Sequence, residues 1–330
     1  FTAVSTETAS VSGYGTYTIT SGGVWAYTLT DSNSAVQALA ASATMSDTFA
    51  VTSSDGTSQT ITITITGVND AATIAGTTTG GATEDTSDAA GTATVADTDT
   101  GQDSFTAVST ETASVSGYGT YTITSGGVWA YTLTDSNSAV QALAASATMS
   151  DTFAVTSSDG GTSQTITITI TGANDDATFG GATTGGATED TSDASGTATV
   201  ADTDTDQSTF TAVSTETASV SGYGTYTITS GGVWAYTLTD SNSAVQALAA
   251  SATMSDTFAV TSSDGTSQTI TITITGVNDA ATIAGTTTGG ATEDTSDAAG
   301  TATVADTDTG QDSFTAVSTE TASVSGYGTY

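Results

Sequence analysis

The chain has no lysine, arginine, histidine, cysteine or proline. Most of these absences remove a class of function. With no basic side chain to neutralise a phosphate, nucleic acid is excluded as a partner, and anionic membrane surfaces are disfavoured on the same ground. Without cysteine there is no disulfide and no zinc–thiolate site; without lysine there is no Lys–Asn isopeptide cross-link. No run of 18 apolar residues occurs, so no membrane span is expected, and no signal peptide is legible. The sequence opens at Phe1 and stops at Tyr330 in mid-pattern, and reads as a window on something longer. What remains is acid: 35 carboxylates among 330 residues, for a formal charge of −35. Such a chain attracts cations, and hard divalent ions prefer oxygen ligands.

Repetition is the dominant feature. The segment FTAVSTETASVSGYGTY begins at Phe1, Phe105, Phe210 and Phe314, a spacing of 104 or 105 residues. The odd residue is a second glycine, Gly161, in SSDGGTS. Residues 1–104 and 210–313 are identical, whereas the middle copy differs mainly after its Asn-Asp pair. A unit of this length is a whole domain, not a solenoid turn.

Within one repeat the pattern is β. TSQTITITIT (Thr57–Thr66) puts Ile61, Ile63 and Ile65 on one face and Thr on the other, the alternation of a half-buried strand. VWAYTLT aligns Trp25, Tyr27 and Leu29 on a shared face, which reads as core rather than as a sugar-stacking platform. Gly22–Gly23 reads as a tight hairpin turn, and SNSAVQALA (Ser32–Ala40) as one short helical turn. Short strands with frequent turn signals predict an all-β fold of tandem Greek-key sandwiches. The expected divisions are residues 1–70 as the C-terminal part of a repeat, 71–175 and 176–279 as complete repeats, and 280–330 as the N-terminal part of another.

The first repeat holds eleven acids, seven of them between Asp70 and Asp103. They fall in three clusters, Asn69–Asp70, Thr83–Asp85 and Ala96–Asp103, around the connection from one sandwich to the next. Like charges about 5 Å apart repel by roughly 3 kcal/mol at an effective dielectric near 20, so converging carboxylates would splay a joint unless a cation sat among them. Calcium takes six to eight oxygens in irregular geometry and suits such a set better than magnesium. A lone surface Asp is ordinarily just solvated; Asp31, Asp47, Asp55 and Glu7 read this way, Asp31 and Asp55 as turn formers. Paired carboxylates could hint at a glycosidase, but catalytic sites are not normally copied along a tether. No Ser/His, Cys/His or phosphate-loop constellation is present. The chain is not expected to be an enzyme.

Residues Gly15–Ala72, with WAYTL, SNSAVQAL, SDTFAVTSSDG and the closing GVNDAA, resemble the VCBS repeat of large bacterial surface proteins. Gly80–Phe105 continues the likeness and is also similar to the cadherin pattern, in which an early-strand Glu and a DxDxG segment meet an Asn-Asp linker around calcium. The resemblance implies cadherin-like or immunoglobulin-like sandwiches, secretion to the cell surface, roles in adhesion or biofilm, and Ca2+ at the joints. It implies as ligands Asn69, Asp70, Glu84, Asp97 and Asp99 at the first joint. At the second they are Asn174, Asp175, Glu189, Asp202 and Asp204, and at the third Asn278, Asp279, Glu293, Asp306 and Asp308. The chain departs from the pattern at Ala72, where proline is usual, and at Gly67, where the cadherin linker begins with Asp. Asp206 and Ser208 replace the Gly101 and Asp103 of the first copy.

The expected function is the repeat region of a surface stalk or extracellular filament rigidified by calcium. Its partners would be Ca2+, other copies of the chain or neighbouring repeats, and cell-surface glycans. The rivals are a spacer or glycan-recognising adhesin module and, more remotely, a cross-β fibre built on the Thr/Ile runs.

Overall fold

The computed structural model describes residues 1–330 and divides them into two compact units, Phe1–Ala173 and Asn174–Tyr330. Unit one begins with β1 (Val4–Ala9), β2 (Gly15–Ile19), β3 (Trp25–Leu29), α1 (Ser34–Gln37), β4 (Thr44–Thr52) and β5 (Ser58–Thr66). It continues with β6 (Thr73–Gly76), β7 (Thr79–Thr83), β8 (Ala89–Ala96), β9 (Val108–Ala113), β10 (Gly119–Ile123), β11 (Val128–Leu133), α2 (Ser138–Gln141), β12 (Thr148–Thr156) and β13 (Ser163–Thr171). Unit two repeats the second series as β14 (Thr178–Gly181), β15 (Thr184–Thr188), β16 (Ala194–Ala201), β17 (Val213–Ala218), β18 (Gly224–Ile228) and β19 (Val233–Leu238). It closes with α3 (Ser243–Gln246), β20 (Thr253–Thr261), β21 (Ser267–Thr275), β22 (Thr282–Gly285) and β23 (Ala302–Ala305).

The chain is a tandem of all-β sandwiches. One sheet of the sandwich has the order β6-β8-β11-β10-β9 and faces a three-stranded sheet, β12-β13-β7. Unit two repeats both orders, β14-β16-β19-β18-β17 and β15-β21-β20. All neighbours are antiparallel except β7 on β13 and β15 on β21, which run parallel. That parallel pairing is what positions the site described below.

The alternation legible in the sequence is the alternation of burial. Ile166, Ile168 and Ile170 of β13, and Trp129 and Tyr131 of β11, are fully buried; Leu133 is nearly so. Phe153 of β12 sits at the centre, stacked on Tyr121 at 4.3 Å between ring centroids and met edge-on by Trp129 at 5.8 Å. The Trp129 indole N–H donates to the Thr77 carbonyl at 2.9 Å, satisfying its one polar atom. Each helix is one turn, and the Asn before it caps it: Asn137 accepts from the Ala139 N–H at 2.9 Å. In residues 1–66 the β4–β5 hairpin has no parallel partner strand, and Trp25 is 43% exposed where its counterpart Trp129 is fully covered.

The indole lies flat against two glycines. A Cβ on Gly91 would stand 2.5 Å from Trp129 Cζ2, and one on Gly80 would stand 2.8 Å from Cη2. Only a residue without a side chain lets β7 and β8 close over the ring. Gly91→Ala is expected to destabilise this sandwich by about 1–3 kcal/mol through overpacking, read as a lower denaturant midpoint. An unchanged midpoint would contradict the packing.

Asp47 reads as a solvated acid in the sequence, yet it and its counterparts Asp151 and Asp256 are 0–1% exposed. Asp151 accepts five hydrogen bonds: from Ser114 Oγ, from the backbone N–H groups of Ser116, Tyr118 and Thr152 (3.0, 3.2 and 2.7 Å), and from Tyr131 Oη at 2.9 Å. Every lone-pair direction of a buried anion is occupied, which lets it stay charged without a cation. The signal was present in the pattern: in TMSDTFAVT, Asp47 is in phase with Phe49 and Val51, on the inward face of β4. Asp31 and Glu7 are exposed, as expected.

Candidate metal centre

The acidic clusters are built from two loops and a linker. In unit one the linker after β5 reaches β6 through Asn69 and Asp70. The Asp70 N–H donates to Asp99 Oδ2 at 3.0 Å, and the Asp99 N–H donates to Asp97 Oδ1 at 2.8 Å. Asn69 Nδ2 donates to the Asp70 carbonyl at 2.7 Å and to Asp159 Oδ2 at 3.1 Å. The next residue of the loop, Thr100, donates its N–H to the Ala38 carbonyl at the end of α1, at 3.0 Å. The acid loop of one repeat is thus pinned to the helix of the repeat before it.

The arrangement recurs in unit two. Asp175 N–H meets Asp204 Oδ2 at 3.2 Å and Asp204 N–H meets Asp202 Oδ1 at 2.9 Å. Asp279 N–H meets Asp308 Oδ2 at 3.1 Å and Asp308 N–H meets Asp306 Oδ1 at 2.9 Å. Asn174 and Asn278 each donate to the carbonyl of the following Asp, at 2.9 and 2.7 Å. Thr309 N–H reaches the Ala247 carbonyl at the end of α3, at 3.1 Å.

The structure regroups the glutamates. Glu84 follows β7, which runs parallel to β13, so it travels the length of the sandwich away from Asn69 and Asp70. Those two lie near the start of β13, where Thr162 Oγ1 donates to the Ala72 carbonyl at 2.9 Å. Glu84 sits at the other end, where its Oε2 accepts from Ala173 N–H at 3.0 Å and its Oε1 from Gln141 Nε2 at 2.9 Å. A nine-residue strand separates the two positions by roughly 30 Å. Glu189 is likewise remote from the start of its own sandwich: it accepts from Val277 N–H and Gln246 Nε2, both at 3.0 Å, and the charges of Asp279 and Asp308 act on it. Glu189 therefore lies near Asp279 and Asp308, not with Asn174 and Asp175. Glu293 is exposed.

Electrostatics mark these seams as unfinished. Glu84, Asp99, Glu189, Asp204 and Asp308 are all at most 2% exposed. Buried oxygens with no hydrogen-bond donor remain on Asp97 (Oδ2), Asp99 (Oδ1), Asp202 (Oδ2), Asp204 (Oδ1), Asp279 (Oδ2) and Asp308 (Oδ1). Burial, reinforced by the surrounding carboxylates Asp202, Asp175 and Asp264, raises the pKa of Asp204; burial with Asp279, Asp190 and Asp308 nearby raises that of Glu189. The contrast with Asp151, whose donors bring its pKa down against burial, is plain. No three acidic side chains converge on one point at metal-binding spacing. The atoms on offer are carboxylate, amide and backbone oxygens, with no nitrogen or sulfur ligand, and that set fits a hard divalent cation.

One contributor escaped the sequence reading. Asp55 reads as a turn former, but its counterparts Asp159 and Asp264 turn toward the linkers. Asp159 takes Asn69, and Asp264 Oδ2 accepts Ala177 N–H at 3.2 Å. Its place beside a turn glycine hid a contact that only the folded hairpin makes.

The chain is thus a tandem of all-β sandwiches with acidic residues gathered at the linkers. Residues 69–172 match the family model of the bacterial cadherin-like domain; the VCBS likeness rests on the sequence motifs alone. No curated protein matches the chain. Among solved structures, the protocadherin GammaB4 extracellular domain is 14% identical with a TM-score of 0.37, covering 73% of this chain and 40% of its own. Mouse clustered PcdhgC3 EC1-3 is 12% identical with a TM-score of 0.40, covering 79% and 86%. The human Desmocollin-1 ectodomain is 14% identical with a TM-score of 0.36, covering 80% and 52%. This chain thus spans less than half the length of the first of these. No helix is long and apolar enough to cross a membrane.

Proposed function

We propose that the chain is the repeat region of a secreted surface stalk or extracellular filament serving adhesion or a biofilm matrix. In it, divalent cations, calcium by preference, hold successive sandwiches at fixed angles. The observation that carries this reading is the set of buried, donorless carboxylate oxygens recurring at the linkers. An unpaired buried charge costs several kcal/mol; the chain contains no basic residue that could offset it. A bound Ca2+ would supply the missing positive charge. Asp97, Asp99 and Asp70 would hold it from the linker and the following loop, and Glu189 with Asp279, Asp306 and Asp308 at the last seam. The backbone hydrogen bonds from Thr100 and Thr309 to the preceding helix support this reading, because they tie the loop to the repeat before it.

Calorimetric titration of the 330-residue chain with calcium tests this. Binding is expected in the range of about 10⁻⁴–10⁻³ M characteristic of extracellular modules, weakening as pH is lowered because protons compete for Glu189 and Asp204. The triple variant Asp99→Asn, Asp204→Asn, Asp308→Asn should bind at least about tenfold more weakly, since each Asn removes a charged ligand. Heats equal to dilution in the unmodified chain would refute the proposal.

A further inference from the structure

The loop carrying each Asp pair ends in a glutamine that neither the acidic clusters nor the resemblance singled out: Gln102, Gln207 and Gln311. In all three loops the Gln N–H donates to the carbonyl of the Asp three residues earlier, at 3.3 Å. That turn folds the side chain back over the carboxylate, and all three glutamines are half-buried. Their amides take two opposite orientations. Gln207 Nε2 donates to Asp204 Oδ2 at 3.2 Å, and Gln311 Nε2 to Asp308 Oδ2 at 3.1 Å. Gln102 instead presents Oε1, buried and without a donor, in the same loop as the donorless Asp97 Oδ2 and Asp99 Oδ1.

Three buried acceptors in one short loop, with no donor among them, form an arrangement that a cation would satisfy. An amide is the side chain able to serve both conditions of such a site. Its NH2 end quiets a bare carboxylate, its carbonyl end ligates a metal, and it adds no charge in either case. A glutamate there would ligate better but would add one more anion to a seam already crowded with them.

We propose that Gln102, Gln207 and Gln311 are amide ligands of the seam cation. Each amide can offer either end to the seam: the carbonyl, as Gln102 does, or the NH2, as Gln207 and Gln311 do toward the adjacent Asp. This rests on the cation reading above. The glutamine sets how tightly the seam binds and keeps it folded while empty. That makes it an affinity-determining residue, not simply one more polar group on the loop.

The test compares the 330-residue chain with two triple variants, Gln→Met and Gln→Glu at positions 102, 207 and 311. Met keeps the length of the side chain and removes its oxygen. Calcium affinity is measured by calorimetry and thermal unfolding is followed in EDTA. The Met variant is expected to bind calcium about tenfold more weakly, the scale on which supporting ligands act, and to melt earlier in EDTA. The Glu variant should bind more tightly than the unmodified chain yet melt earlier in EDTA, a split that a purely structural role would not produce. If the unmodified chain binds calcium and both variants bind it equally well, the amide role is overturned while the cation reading stands. Absence of binding in the unmodified chain overturns the cation reading itself. Should the Met variant not fold, the Glu variant decides alone: affinity no tighter than the unmodified chain's overturns the proposal.

Discussion

Removing calcium with EDTA is expected to open the chain to cleavage at its linkers. Endoproteinase Glu-C under conditions that cut after Asp as well as Glu is a suitable probe, because the chain has no Lys or Arg for trypsin. In millimolar calcium, Asp70, Asp175 and Asp279 should be protected by their place in the seams. In EDTA the same positions should be cut first, releasing fragments about one repeat long, at a rate at least tenfold higher. The physical cause is repulsion: two carboxylates about 5 Å apart cost roughly 3 kcal/mol at an effective dielectric near 20, and each seam gathers several. The sandwiches themselves should survive, since their cores of Ile, Trp, Tyr and Phe owe nothing to a cation. Identical digestion patterns with and without calcium would sink the idea that the seams depend on metal.

The second large effect belongs to the core. Asp151→Leu is expected to destabilise its sandwich by at least about 3 kcal/mol, because each buried donor left unsatisfied costs about 1–3 kcal/mol. The substitution strands Ser114 Oγ, Tyr131 Oη and three backbone N–H groups in a dry interior. In a domain of this size the melting temperature should fall by more than about 10 °C. Asp151→Asn, which keeps one carbonyl acceptor, should fall between the two. A Leu variant as stable as the parent would show the network to be dispensable.

The same network fixes the acid limit of the fold. Burial works against the Asp47 carboxylate, but donors from Ser10, Ser12, Tyr27 and Thr48 outweigh it and bring its pKa from 3.8 down to about 2. A depressed carboxylate pKa stabilises the fold fully above the unfolded value and loses that contribution as pH falls toward the folded one. The network should therefore hold at pH 5 and fail between about pH 4 and 2. On the alkaline side, burial and then Asp47 raise Tyr27 to about 12, so its contribution is lost only as pH climbs beyond 10.

The strands were legible because a period of two leaves its mark wherever one face is buried: Ile166, Ile168 and Ile170, or Trp129, Tyr131 and Leu133. The one-turn helix was legible from its Asn cap. The seam acids were legible as clusters, but not which of them meet. Glu84 stands fourteen residues after Asp70 and is carried to the opposite end of the sandwich by the parallel pairing of β7 with β13. Such pairing joins strands far apart in the chain, and no local pattern announces it. Asp47 was hidden for another reason: a carboxylate is almost never fully buried unless it is paired. Its position among Met45, Phe49 and Val51 placed it inward, and burial of a carboxylate is tolerated there because the donors come from Ser10, Ser12 and Tyr27, residues distant in sequence.

The most direct measurement is an anomalous-difference map from crystals of the chain grown in calcium. Peaks are predicted at the seams, about 2.3–2.6 Å from oxygen ligands that include Asp97 Oδ2 and Asp99 Oδ1. Seams that hold only water at saturating calcium, with those carboxylates turned into solvent, would contradict the account.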